Sequence, residues 1–261
     1  MTFRSTQFVA TVFAGLLTTS WSAVARAQDE GVPEGGRHER VSAATGAGAF
    51  LPLASAATMD QQRATAAVFG GYDSTRKTGL FEAAAEVRIW RGLSLRGGGL
   101  YTASTDTLRP SFGARYQFLS EGRHGIDGSL GVFYRPEGLT EPEGEIETVA
   151  SVGSHLGGTY LLGNLVYGQD PEANERDGEV RLAALRPVGS RVFLGLDSRL
   201  RFDLGSKPTR LEAKLDAVAG PVASVLVGPV ALTLQGGASA LRLKDSTSYG
   251  AVVLGGAGGA F

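Results

Sequence analysis

The stretch Phe81 to Trp90 reads FEAAAEVRIW. At the two-residue period of a β-strand, Phe81, Ala83, Ala85, Val87 and Ile89 share one face, while Glu82, Glu86 and Arg88 share the other. The same division recurs along the chain. Leu108, Phe112, Ala114, Tyr116 and Phe118 oppose Arg109, Ser111, Arg115 and Gln117. Val192, Leu194, Leu196, Leu200 and Phe202 oppose Asp197, Arg199, Arg201 and Asp203, and Leu211, Ala213, Leu215 and Ala217 oppose Glu212, Lys214 and Asp216. Alternation alone also fits a soluble β-sandwich with its apolar face inward. Length separates the two, because these runs extend over about 10 residues or more, where sandwich strands are mostly about 5 to 6 and a tilted strand crossing a bilayer needs about 9 to 11.

Two further patterns point the same way. Aromatic residues gather near strand ends, as Phe81 and Trp90 do in the opening stretch and Tyr249 and Phe261 do in the last one, SYGAVVLGGAGGAF; girdles at the two membrane interfaces account for that placement. The connections also alternate in length. Short joints fall at Arg91-Gly92, Ser120 to His124, Gly157-Gly158, Pro187 to Ser190 and Gly228-Pro229. The other set falls at Asp73 to Lys77, Ser104 to Asp106, Pro136 to Gly144, Gln169 to Gly178, Gly205 to Pro208 and Asp245 to Thr247, and contains the two most acidic stretches. The expected fold is an all-β, up-and-down antiparallel transmembrane β-barrel of about twelve strands, from near Thr65 to Phe261. Ten or fourteen strands are the alternatives, because Gly220-Pro221 interrupts one run and Glu145 to Leu156 is weakly apolar.

Composition removes other classes. The chain carries 25 Lys and Arg against 26 Asp and Glu, so nothing in its charge calls for a nucleic acid. It has no Cys, which excludes disulfides, thiolate chemistry and a lipid-anchored N-terminus. No run of about 18 apolar residues suggests a spanning helix. The N-terminus has a positive start at Met1 to Arg4, an apolar core from Phe8 to Leu17 and small residues at Ala25 and Ala27, the layout of a secretory signal peptide. Residues 1–27 are therefore expected to be removed, with a retained N-terminal anchor as the alternative. Residues 28–62 read as a flexible periplasmic lead-in, with Phe50 to Leu53 tucked into the lumen as a plug being the sharper reading. Residues 63–261 form the barrel.

With its signal peptide, its strand pattern and Phe261 as terminal residue, the chain resembles the outer-membrane β-barrel proteins of Gram-negative bacteria. The resemblance covers about 200 residues and is architectural; no motif selects one family, so no functional residue is carried over from it. It implies an outer-membrane location with both termini in the periplasm, membrane lipid and the assembly machinery as partners, and Phe261 as the assembly signal.

An enzyme is not expected. Ser154 and His155 are adjacent and so point to opposite faces of a strand, which denies them a nucleophile–base relation. Glycine pairs such as Gly255-Gly256 precede no helix that could bind phosphate. No cofactor and no metal site is expected. The interior-facing residues are read as Glu82, Glu86, Arg88, Arg96, Arg109, Arg115, Asp197, Arg199, Arg201, Glu212, Lys214 and Asp216. Their signs balance, which fits a narrow pore or small-solute diffusion channel of mixed charge. Arg199 and Arg201 could then form an anion-favouring constriction. The alternative is a structural or surface-interaction barrel, its lumen closed by pairing and its acidic loops outside.

Overall fold

A computed structural model describes residues 50–54, 63–136, 144–171, 175–205 and 213–260. The expected signal peptide, most of the expected lead-in, Glu212 and Phe261 lie outside the described residues. Twelve strands are present: β1 (Ala64–Asp73), β2 (Thr78–Trp90), β3 (Leu93–Thr102), β4 (Thr107–Leu119), β5 (Asp127–Pro136), β6 (Gly144–Leu156), β7 (Thr159–Gln169), β8 (Arg176–Pro187), β9 (Val192–Asp203), β10 (Ala213–Val227), β11 (Val230–Leu243) and β12 (Thr247–Ala260). Each is antiparallel to its chain neighbours. β1 pairs with β12 through Val68↔Ala257 and its flanking pairs, so the sheet closes on itself and leaves no edge.

One rim carries the start of β1, the end of β12 and the short joints, and is called the turn rim here. At Gly157 and Gly158 φ is +56° and +78°, the backbone that a two-residue hairpin turn demands and that glycine adopts without strain. The β4–β5 joint is larger and holds the four-residue helix α1 (Glu121–His124). The opposite, loop rim bears the remaining connections.

Gly220-Pro221 does not break the barrel. Both residues lie inside β10, and the ladder to β9 runs through Gly220↔Asp197 and Pro221↔Leu196. Toward β11 the pairing steps from Ala219↔Ala238 to Val222↔Gln235. Proline has no N–H to give, so the ladder opens on one side only. The run from Glu145 to Leu156 is β6, and the strand number is twelve.

Burial is inverted relative to a soluble protein. Phe81, Val87, Phe112, Tyr116, Leu194, Leu196 and Leu234 are exposed, whereas Glu86, Asp127, Asn164, Asp177, Asp197 and Gln235 are buried. A cylinder with an apolar outside and a polar inside is stable only where the outside meets lipid.

Candidate functional site in the barrel interior

Neighbouring strands place alternate residues inward, so the interior wall can be followed from strand to strand. Over β2 to β6 and over β8 and β9 that wall carries charges, and most of them are paired. Arg115 on β4 reaches across β3 to β2, where its Nε and Nη2 donate to Glu86 at 2.9 and 2.7 Å; Ser94 on β3 donates to the same carboxylate. Arg135 meets Glu147 at 2.8 Å, and Arg181 pairs with Glu179 two residues away. Arg96 is held less firmly. Its nearest carboxylate, Glu82, is 3.7 Å away, and its guanidinium carbon lies 6.0 Å from the centre of the Phe133 ring.

Nearer the loop rim the arginines read as a constriction each hold a carboxylate. Arg199 donates to Asp216 at 2.6 Å, and Arg201 pairs with Asp177 and, at 3.7 Å, with Glu145. Lys214 pairs with Asp203. Arg76, in the β1–β2 connection, joins the belt by bridging Asp73 at 2.9 Å and Asp216 at 2.7 Å. Burial would lower the pKa of Arg76, but the hydrogen bonds and charges of Asp216 and Asp73 outweigh it and raise the pKa, so this bridge stays cationic. Arg88 sits toward the turn rim and Arg109 toward the loop rim, both on the alternating positions that face inward.

The rest of the interior is different. From Val218 to Val227 on β10, and along all of β12, the interior positions carry no charge; Val218 and Val222 on β10 and Val252 and Leu254 on β12 are buried. Toward the turn rim the apolar wall extends over Tyr160 and Leu162 on β7, Ala183 and Leu185 on β8, and Phe193 on β9. Phe50, Leu51, Leu53 and Ala54 lie against this wall. Leu51 and Ala54 join the cluster of Tyr160, Leu162, Leu185, Phe193 and Val222, and Leu53 packs with Val218, Val252 and Leu254.

Asp197 was read as one of the wall charges, and its partner is a backbone group. It is fully buried, and its Oδ2 accepts a hydrogen bond from the Leu53 N–H at 3.0 Å. Sequence reasoning could group Asp197 with Arg199 and Arg201 by period, but no local signal reveals a partner 144 residues away.

A second arrangement was not legible in the sequence. At the turn rim Glu121 on α1 accepts from the His155 backbone N–H at 2.6 Å, and its other oxygen lies 2.8 Å from His155 Nδ1. The His155 ring stacks on Tyr160 with centroids 4.7 Å apart. The adjacent Ser154 turns its hydroxyl to the Gly125 carbonyl at 3.0 Å. Histidine here fastens a helix to the rim. Among the described residues, no three His, Asp or Glu side chains are placed to hold a metal ion.

No protein family matches the chain, and no curated protein matches it. Solved structures do match. A NanC porin aligns with 75% of this chain and 100% of its own length at a TM-score of 0.57 and 10% identity. An outer membrane channel from Pseudomonas putida F1 aligns with 78% of this chain and 97% of its own at 0.48 and 11% identity. The likeness is one of fold. The chain is a closed twelve-stranded β-barrel, similar in fold to outer-membrane porins and channels, and no family is identified for it.

Proposed function

We propose that this protein is a narrow outer-membrane pore for small solutes, with both termini in the periplasm and a passage along the charged wall of β2 to β6, β8 and β9. The observation that carries the reading is the solvent exposure of interior charges. The side chains of Glu82, Arg96 and Arg201 keep 43%, 28% and 33% of their accessible surface although they face into a closed cylinder. A packed interior would bury them. The passage is of mixed charge, and with Arg199 and Arg201 paired, Arg96 is a loosely held cation of its wall, 3.7 Å from Glu82.

Replacement of Arg96 tests the passage without stranding a tightly bound carboxylate. Refolded wild type is expected to conduct in a planar bilayer, and Arg96→Glu to shift the reversal potential toward cation preference, since wall charge sets the barrier to an ion. A non-conducting wild type with intact heat-modifiable migration would favour the second reading, a barrel closed by its ion pairs that acts through its loops. The belt joining Arg76, Asp216 and Arg199 is what supports that alternative.

Placement in the outer membrane has its own test. Deletion of Phe261 is expected to lower the yield of membrane-inserted, heat-modifiable protein severalfold, because an aromatic terminal residue ends the last strand in proteins resembling this class. An unchanged yield would remove Phe261 as the assembly signal.

A further inference from the structure

The segment Phe50–Ala54 sits in a place shaped for it. Three separate features of the wall fit three features of the segment. The apolar clusters on β7–β10 and β12 receive Leu51, Leu53 and Ala54. Gly258 on β12 leaves the space that the Phe50 ring fills, since a Cβ at that position would fall 2.0 Å from the ring. Asp197 provides the acceptor for the Leu53 N–H. The segment also suits the site: Pro52 fixes its own φ and has no N–H, so Leu53 presents the next donor after Leu51.

A buried carboxylate is costly unless paired or hydrogen-bonded. Asp197 meets that cost with a peptide N–H, and its Oδ1 is buried without a hydrogen-bond partner. The chemistry of the site is that of a receptor for an extended backbone, with apolar pockets for side chains and one carboxyl acceptor for an amide N–H.

We propose that the inner wall around Asp197 is a binding site for short apolar peptides and that Phe50–Ala54 is its built-in occupant, displaced when such a peptide enters. This deepens the pore reading and rests on it for the route by which the peptide arrives. The recognition itself is independent of conduction. Entry of a peptide exchanges one apolar segment for another, so occupancy follows the relative affinity and effective concentration of the two.

The test uses the full chain carrying Leu51→Ser and Leu53→Ser, refolded and checked by heat-modifiable migration, with the capped peptide Phe-Leu-Pro-Leu-Ala as probe. Calorimetry is expected to show saturable binding to this variant, at least tenfold weaker binding to wild type, whose site is filled, and at least tenfold weaker binding when Asp197→Asn is added. A probe N-methylated at its second leucine, which corresponds to Leu53, is expected to lose affinity by a similar factor. Absence of binding, or equal binding of the methylated probe, overturns the proposal. Conductance reports separately. A variant that binds the probe but conducts no current supports the site and refutes the pore, whereas one that conducts more than wild type but binds no probe keeps the pore and removes the site.

If the double variant does not fold, Asp197→Asn in the otherwise native chain replaces it. Amide hydrogen exchange at Leu53 is then expected to accelerate at least tenfold, and unchanged exchange shows that the carboxylate does not hold the segment.

Discussion

Glu86→Ala is expected to lower the unfolding free energy of the refolded barrel by about 3 kcal/mol. The carboxylate accepts two hydrogen bonds from Arg115 and one from Ser94, and both charged side chains are nearly buried, at 6% and 11% of their accessible surface. Loss of Glu86 takes the hydrogen-bonded carboxylate from a nearly buried Arg115 guanidinium, and breaking such a pair costs about 3 to 5 kcal/mol. Arg115→Ala is expected to cost a similar amount for the reciprocal reason. The double variant is expected to cost much less than the two single losses together, because neither charge is then stranded. Urea unfolding in lipid vesicles measures all three. A single-variant loss below about 1 kcal/mol would show that water reaches the pair.

That prediction could not have been written from the chain alone. Alternation told which residues face inward, because a β-strand has only two faces. It could not tell which inward residues meet, because partners depend on register and on side-chain reach. Glu86 stands directly opposite Arg96 in the β2–β3 ladder, yet its close partner is Arg115, one strand further on. A long guanidinium stem on a concave wall reaches past the nearest neighbour. The strand limits, by contrast, were legible to within a few residues, since glycine pairs and polar clusters mark the turns and lipid demands long runs.

The rim and the interior segment show the same division. Glu121 lies on the short helix α1 and His155 at the end of β6, 34 residues on, where the two-residue period stops carrying information. Phe50 to Leu53 stands out as a run of bulky apolar residues in a stretch rich in Ala and Gly, and that contrast was visible. What it packs against was not. The complementary wall is assembled from five strands, each of which contributes one to three ordinary apolar residues.

The largest expected effect on the outer face comes from Leu196→Arg. Leu196 is 62% exposed on β9, on the face that also carries Val192, Leu194 and Leu200, so the replacement would place a cation against lipid. Near the bilayer midplane this costs about 2 to 4 kcal/mol. An interior control must have room for the new side chain. Gly195 faces inward but does not serve, because a Cβ there would fall 1.9 Å from the Ala184 carbonyl oxygen, and Gly195→Arg is therefore expected to disrupt the β8–β9 ladder. Leu100 does serve. It lies opposite Glu82 in the β2–β3 ladder and opposite Arg109 in the β3–β4 ladder, all on the inward face, so a cation there gains one accessible carboxylate and meets one like charge, two terms of opposite sign. Leu100→Arg is expected to change stability by less than about 1 kcal/mol, the range of a solvent-exposed ion pair. Equal losses for Leu196→Arg and Leu100→Arg, measured by reversible unfolding in lipid, would mean that the two faces of the wall do not differ in solvent, and the transmembrane reading of the cylinder would fall with them.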